Sequence, residues 1–174
     1  MREMTRYGLI LAIICAAASA SLAGMNSLTR DRIAAQAKAE EEEGLKAVFP
    51  EAADFKPVKS KEKVVYYQAY GRDGGFLGAA FKARGKGYSS VIEVIAGMKK
   101  DGTITAIKIL NQNETPGLGN RVAEPEFRER FSNKRIVDLN GIQAITGATI
   151  SSKAVINAVK VKANQVKELI GDEK

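Results

Sequence analysis

Residues 145–154 read Ile145-Thr146-Gly147-Ala148-Thr149-Ile150-Ser151-Ser152-Lys153-Ala154, and the rest of the chain is organised around them. Small and hydroxyl-bearing residues stand here between an irregular segment and a long amphipathic run. At the start of a helix, such residues leave the first backbone N–H groups uncrowded, and the helix dipole then favours an anion such as a phosphate. The alternative is an ordinary helix cap, because Ser and Thr are also favoured N-cap residues.

Two motifs resemble those of the FMN-binding domain family. Thr146-Gly147-Ala148-Thr149 is similar to the family's [Ser/Thr]-Gly-Ala-Thr flavinylation motif. Asn113-Glu114-Thr115-Pro116-Gly117-Leu118-Gly119 resembles its Glu-Thr-Pro-Gly-Leu-Gly loop. The motifs occur in the family's order, about thirty residues apart. The family includes the G subunit of Rnf-type electron transport complexes and the C subunit of sodium-translocating NADH:quinone reductases. With the N-terminal segment, the resemblance covers nearly the whole chain.

The resemblance implies a covalently bound cofactor. In the family the last Thr of the first motif forms a phosphoester with FMN, and that residue is Thr149 here. The residues expected around the bound phosphate are Thr146, Gly147, Ala148, Thr149, Ile150, Ser151 and Lys153. Of these, Lys153 is expected either to neutralise the phosphate or to be a solvated side chain.

The second motif is implied to lie beside the flavin ring. By the resemblance, Glu114 and Thr115 hydrogen-bond the edge of the isoalloxazine and Leu118 packs on the ring. Gly117 and Gly119 allow the backbone to approach closely. Taken by itself, this segment is equally a connecting loop with two glycines.

The chemistry of attachment predicts a separate enzyme. A Thr hydroxyl is a weak nucleophile that needs a base, and the chain has no His. We therefore expect no catalytic residue in this chain, and a flavin transferase as a partner, which the resemblance also implies. Gln143 stands where the family usually has Asp, six residues before the modified Thr. This departure concerns recognition by the transferase rather than the pocket.

Composition excludes several other kinds of redox centre. The chain of 174 residues contains no His and a single Cys, which rules out intrachain disulfides, Cys-ligated iron–sulfur clusters and His-ligated haem. We expect no metal site. The net charge of +7 indicates solubility and closeness to a membrane. Nucleic acid is not expected as a partner, because no recognition helix or zinc pattern accompanies the charge.

The N-terminal segment predicts a membrane anchor over residues 1–25. Residues 7–24 contain no charge, and as a helix they would be roughly 27 Å long, enough for the hydrocarbon core. A cleaved signal peptide is the alternative, because Ala18-Ser19-Ala20 fits a cleavage site. The family resemblance favours a retained single-pass anchor in the inner (plasma) membrane. Arg2 and Arg6 then place the N-terminus in the cytoplasm and the flavin domain outside it.

Residues 26–50 are predicted to be a helical connector and residues 51–174 the FMN-binding domain. Asn26 or Ser27 would cap the connector helix, which ends near Val48 before Pro50. The acidic run 40–43 is interpreted as a solvated face. Residues 54–63 are polar and contain Pro57, so we expect a loop there.

Alternating apolar residues then predict strands at 64–70, 76–83, 88–98 and 103–110, with residues 84–87 breaking the pattern. Strands without intervening helices indicate an antiparallel sheet, hence an α+β fold. A short helix is predicted at 124–131, a strand at 135–139 and a final helix at 149–170. The apolar face expected to pack that helix on the sheet consists of Val155, Ala158, Val159, Val161, Ala163, Val166 and Ile170.

These features favour a membrane-anchored electron carrier with covalent FMN. By the resemblance, it would work with the other membrane subunits of an Rnf-like ferredoxin:NAD oxidoreductase coupled to ion translocation. One alternative is the C subunit of a sodium-translocating NADH:quinone reductase. The other is a non-redox, membrane-tethered module that binds an anion at the helix start near Thr149.

Overall fold

A computed structural model describes residues 2–60 and 63–171, and the chain divides into two compact units, residues 1–40 and 41–174. The first unit consists of helix α1, which extends from Arg2 to Val48 and so continues into the second unit. Its apolar part reaches a mean hydropathy of 2.1 over 18 residues, none of them buried. Within the described ranges, this is the helix long and apolar enough to cross a membrane. No cap interrupts it at Asn26 or Ser27.

The second unit is built on an antiparallel sheet. The strands follow one another in sequence order, each paired with the next. Their bounds are Asp54–Ser60 (β1), Lys63–Tyr70 (β2), Phe76–Lys86 (β3), Val91–Lys99 (β4), Thr103–Asn111 (β5) and Lys134–Arg135 (β6). The connections from β2 to β5 are short, as an antiparallel sheet allows. The α+β class predicted from the sequence is confirmed.

Strand β1 corrects the prediction of a loop at residues 54–63. Its seven residues pair with β2 despite Pro57, which lies opposite Tyr67. A proline has no N–H to donate, and edge strands tolerate it because one side of their backbone needs no partner. The polar composition therefore marked the edge of the sheet rather than a linker.

The β3–β4 connection also differs from the prediction. Strand β3 continues through residues 84–86, which were expected to break it, and Gly85 pairs with Ile92. A Cβ on Gly85 would lie 2.4 Å from the carbonyl oxygen of Ala154, so glycine is needed here for close packing rather than for a turn. Residues 88–90, expected to be the start of a strand, form a bend before β4.

Short helical segments connect β5 to the final helix. They are a 3₁₀ helix at Gly119–Ala123, helix α2 at Pro125–Arg128, and 3₁₀ helices at Glu129–Phe131 and Ile136–Gly141. The strand predicted at 135–139 is wrong beyond Arg135. Ile136 and Leu139 are buried while Val137 is exposed, and a spacing of three residues suits a 3₁₀ turn rather than a strand.

Helix α3, Thr149–Gly171, packs on one face of the sheet as predicted. Val155, Val159 and Val166 are fully buried in the cluster formed there. Val161, which was expected to widen the apolar face, is instead 57% exposed. The same cluster takes in Phe81 from β3 and Leu139 from the connecting segment, so the helix start and the connecting segment share one core.

The last two turns of α1 cover the opposite face of the sheet. Leu45 and Val48 are buried against Ile95 and its neighbours. Glu41 accepts a hydrogen bond from the Tyr67 hydroxyl at 2.6 Å and pairs with Lys82 at 2.6 Å. The interpretation of residues 40–43 as a solvated face is therefore wrong for Glu41. Burial, followed by the bond to Glu41, raises the pKa of Tyr67 well above its usual value.

Candidate functional site

A cavity of about 370 Å³ lies at the start of α3 and brings the two motifs together. Its lining residues are Tyr88, Glu114, Thr115, Leu118, Gly119, Gly147, Ala148, Thr149, Ile150 and Ser151. They come from the bend before β4, from the segment that follows β5, and from the turn that leads into α3 together with the first residues of α3. Pockets for small molecules usually measure roughly 300–1,000 Å³, so the cavity is large enough for a cofactor.

The start of α3 is held in place by buried hydroxyl groups. The Ser152 hydroxyl accepts a hydrogen bond from the Ile145 amide at 3.1 Å, and the Ser152 amide donates to the Ala148 carbonyl at 2.9 Å. Gly147 has φ of +82°, a conformation that few other residues adopt without strain. These contacts orient Thr149 at the helix start, where its side chain is exposed.

The first turn of α3 suits an anion. Its backbone N–H groups lack partners within the helix, and the helix dipole adds partial positive charge at this end. Thr149 and Ile150 are exposed and line the cavity. A phosphate joined to the Thr149 hydroxyl would therefore lie where backbone donors are available.

Apolar side chains surround the mouth of the cavity. Tyr88 is 74% exposed, Leu118 49% and Ile150 55%. Exposed apolar groups collected at one cavity are typical of a binding site rather than of ordinary surface. A planar, largely apolar ring would cover them.

Glu114 forms one wall of the cavity, and the residue is only 6% exposed. One oxygen, Oε1, accepts from the amides of Ser89 (3.0 Å) and Ser90 (2.8 Å) and from the Ser90 hydroxyl (3.1 Å). The other, Oε2, accepts from the Tyr88 amide at 3.1 Å and from the Ser151 hydroxyl at 2.6 Å. We call Glu114 and these four donor residues the Glu114 cluster.

The charge of Glu114 is stabilised by hydrogen bonds. Burial opposes ionisation, but the bonds from the Ser151 hydroxyl and from the amides of residues 88–90 together outweigh it. The result is a pKa of about 2 for the Glu114 carboxyl, well below its usual value. The carboxylate is therefore ionised at neutral pH.

Two glycines make room for this carboxylate. A Cβ on Gly119 would lie 2.6 Å from Oε2 of Glu114, and a Cβ on Gly87 would lie 2.5 Å from Oε1. Any larger residue at position 87 or 119 would displace the Glu114 side chain. Glycine is therefore required at both positions because of Glu114. Gly117, by contrast, has φ of +75° and open space around it.

Three of the predicted site residues do not line the cavity: Thr146, Gly117 and Lys153. Thr146 and Lys153 are exposed. Sequence reasoning did not single out Tyr88 as a lining residue or Ser152 as the residue that holds the loop. Tyr88 lay within a run that was interpreted as a strand. Ser152 could have been singled out, because it follows Ser151 directly and both hydroxyl residues stand at the predicted start of a helix.

Gln143 takes part in the structure through its backbone. Its carbonyl accepts a hydrogen bond from Nη1 of Arg130 at 2.7 Å. Arg130 also donates to the Glu126 carbonyl at 3.3 Å and lies over the ring of Phe127. The segment leading to the first motif is thus fixed by a main-chain contact, which does not depend on the side chain at position 143.

A larger groove of about 590 Å³ lies elsewhere, between β3 and α3. Lys82, Arg84, Lys86 and Lys162 line it together with small apolar residues. Neither motif contributes to it. The smaller cavity is therefore the candidate site, because the two motifs meet there and not at the larger groove.

The residues present fit FMN on three observations. The cavity has sufficient volume, the helix start offers donors for a phosphate, and exposed apolar side chains at the cavity could contact a ring. Because Gly119 has no side chain, the Glu114 carboxylate can occupy this wall of the cavity. The first motif would hold the phosphate end of the cofactor and the second would lie beside the ring.

The residues that line this cavity lie within a region that matches a known protein family. The FMN-binding domain family matches residues 87–163, and the RnfG N-terminal region matches residues 1–48. The G subunit of the ion-translocating oxidoreductase complex of Methanosarcina acetivorans is 33% identical over 172 residues, covering 91% of this chain and 92% of the relative. The G subunit of the Na(+)-translocating ferredoxin:NAD(+) oxidoreductase complex of Acetobacterium woodii is 33% identical over 182 residues, covering 90% and 88%.

The fold is also shared with a solved structure. The crystal structure of Shewanella oneidensis NqrC superposes with a TM-score of 0.51 at 19% identity, covering 70% of this chain and 74% of that one. The fold and the cavity define an FMN-binding domain that follows an apolar N-terminal helix. The chain belongs to the family of G subunits of Rnf-type ion-translocating oxidoreductase complexes. It is thus an electron-transfer subunit of an oxidoreductase.

Proposed function

We propose that this chain carries FMN as a phosphoester on Thr149 and passes electrons within an Rnf-like ferredoxin:NAD oxidoreductase that translocates ions. The observation that carries the proposal is the cavity at the start of α3, where Thr149 and the second motif meet. The name of the Acetobacterium woodii relative supports ferredoxin and NAD as the terminal partners of the complex. When bound, the flavin supplies the electron-accepting and electron-donating chemistry.

The chain's own residues bind the cofactor and orient it. Thr149 provides the oxygen of the ester, and the first-turn amides of α3 stabilise the phosphate charge. Tyr88, Leu118 and Ile150 exclude water from the apolar surface of the cofactor. Thr115 lines the cavity with an exposed side chain and offers a hydroxyl to the ring. Ser151 and Glu114 keep the two motifs at a fixed separation.

A covalent ester prevents loss of the cofactor to the surroundings, which matters for a domain on the outer side of a membrane. We propose residues 1–25 as the anchor, with the N-terminus in the cytoplasm because of Arg2 and Arg6. The anchor would lie in the inner membrane of the cell. Residues 26–50 are the proposed connector, whose last two turns pack on the sheet, and residues 51–174 are the proposed flavin domain. The other membrane subunits and a flavin transferase are the proposed partners, because the chain has no His to act as a base.

The site is tested by two substitutions at Thr149 in the full chain, produced together with the transferase. Thr149→Val keeps the shape of the side chain but removes the hydroxyl, whereas Thr149→Ser keeps an alcohol. We expect the wild type and Thr149→Ser to carry the added mass of FMN less one water and to fluoresce on a denaturing gel. Thr149→Val should show neither. A Thr149→Val protein as fluorescent as the wild type, or a wild type without added mass, would disprove the attachment.

A further inference from the structure

The carboxylate of Glu114 is engaged within the chain itself. The resemblance implies a contact with the edge of the ring, yet both of its oxygens already accept hydrogen bonds within the chain. A carboxylate offers about four lone-pair sites, and the Glu114 cluster fills them with five donors. Little accepting capacity remains for a ligand.

The donors come from two segments that are distant from Glu114 in sequence. Residues 88–90 supply three successive backbone amides, and Ser151 supplies a hydroxyl from the first turn of α3. Further contacts lie between the same segments: the Asn113 amide donates to the Ser90 hydroxyl at 2.9 Å. One side chain therefore joins the three segments that line the cavity.

The charge of Glu114 is stabilised by hydrogen-bond donors. No Lys or Arg forms an ion pair with it among the residues that the structure describes, and dipoles alone stabilise it. Amides and hydroxyl groups reduce the field of a buried charge less completely than a counterion does. A negative potential therefore remains at the wall of the cavity.

We propose that Glu114 is a positioning residue, which holds the three segments of the cavity together and whose negative charge lowers the reduction potential of a flavin bound there. The second part rests on the proposed function. A fixed negative charge makes the addition of electrons to a neighbouring group less favourable. The charge and the hydrogen-bonding role are carried by the same carboxylate, so two substitutions are needed to separate them.

The potential is tested on the full chain with its flavin attached, by redox titration followed through flavin absorbance. Glu114→Gln removes the charge, while Glu114→Asp keeps the charge and shortens the side chain. At a fixed applied potential, we expect the ratio of reduced to oxidised flavin to rise at least threefold in Glu114→Gln. Glu114→Asp should stay within twofold of the wild type. An unchanged ratio in Glu114→Gln, or an equal rise in both variants, overturns the role of the charge.

The positioning role is tested without the cofactor. In the full-length Thr149→Val protein, amide hydrogen exchange at residues 88–90 reports whether Glu114 holds them. Adding Glu114→Gln should speed exchange there at least tenfold, and unchanged exchange overturns the role. Ser90→Ala is a milder variant that removes one hydroxyl donor and leaves the charge. It should speed exchange at Ser89 and Ser90, and an unchanged rate there counts against the cluster.

These two measurements separate the inference from the function on which it rests. If the wild type carries no flavin, the proposed function fails, while the exchange experiment still decides whether Glu114 organises the cavity. If the flavin is attached and the exchange changes but the potential does not, Glu114 positions the segments and the proposed influence on the flavin is wrong.

Discussion

The two faces of the sheet are held by different kinds of contact. On the α3 face, a large cluster of apolar side chains extends from the strands through the connecting segment to α3, and buried hydroxyl groups fix the loops around it. On the opposite face, six buried residues and a few charged pairs hold the end of α1. Thr105 adds a hydrogen bond to the Val48 carbonyl at 2.6 Å.

This difference indicates that the α3 face contributes most to the stability of the sheet domain, whereas the opposite face holds the end of α1 on the sheet. Burial of apolar area is the main favourable contribution to folding, so the α3 face should dominate the free energy of unfolding. The α1 face depends more on pairs at the surface, which individually contribute little. The candidate site lies on the α3 face, beside the larger of the two apolar clusters.

The largest effect is expected from the core of the α3 face. Phe81 is fully buried there, and Phe81→Ala should lower the free energy of unfolding by about 3–5 kcal/mol, since such a change leaves a cavity. On the other face, Leu45→Ala should cost about 2 kcal/mol, because its cluster is small and can adjust. Urea unfolding of the full chain in detergent, followed by tyrosine fluorescence, measures both. A larger loss in Leu45→Ala would reverse the comparison.

An intermediate effect is expected from the carboxylate of the site. The pKa of Glu114 falls from 4.5 to about 2 in the folded chain, so its ionisation stabilises the fold by up to about 3 kcal/mol at neutral pH. Because the folded pKa is depressed, this contribution is present above about pH 4.5 and is lost as the pH falls towards 2. Glu114→Gln should therefore be less stable than the wild type at pH 7, and the difference should narrow in acid.

Unfolding midpoints measured from pH 7 down to pH 3 test this expectation. Glu93→Gln is a suitable control, since Glu93 pairs with the exposed Arg84 and its loss should change stability little at any pH. A difference between Glu114→Gln and wild type that stays constant across the range would show that the ionisation of Glu114 is not coupled to folding.

The smallest effect is expected at the end of α1. Glu41→Gln weakens contacts with Tyr67 and Lys82 and should cost about 1 kcal/mol, less at high salt because the Lys82 side chain is 43% exposed. The neighbouring Glu42 is exposed, so Glu42→Gln should change stability by less than about 0.5 kcal/mol. Equal losses in the two variants would mean that residues 40–43 act only as a solvated acidic run.

Prediction from the sequence succeeded for segments whose structure depends on local pattern. Strands β2 to β5 and helix α3 were predicted because their apolar residues follow periods of two and 3.6, which local geometry imposes. The predictions failed where a segment depends on a neighbour. Residues 54–60 became a strand by pairing with β2, and Gly85 continued β3 because α3 lies against it. Neither partner is visible in the local pattern.

The candidate site shows the same division. The two motifs could be recognised in the sequence, and so could the suitability of a Gly-Ala-Thr segment for the start of a helix. The internal use of Glu114 could not, because its donors lie 24 to 37 residues away along the chain. Tyr88 likewise reaches the cavity because it lies in a bend whose backbone amides donate to Glu114, and this contact is not visible in the sequence.

The sequence by itself determined the α+β class, the apolar helix at the N-terminus, the final amphipathic helix and the two motifs, because these depend on periodicity and on local backbone chemistry. Only the tertiary structure decided that the motifs share one cavity, that the end of α1 belongs to the folded sheet domain, and that Glu114 is bonded within the chain. The physical reason is that hydrogen bonds and burial between segments distant in sequence depend on how the sheet and helices pack, and no local pattern records that packing.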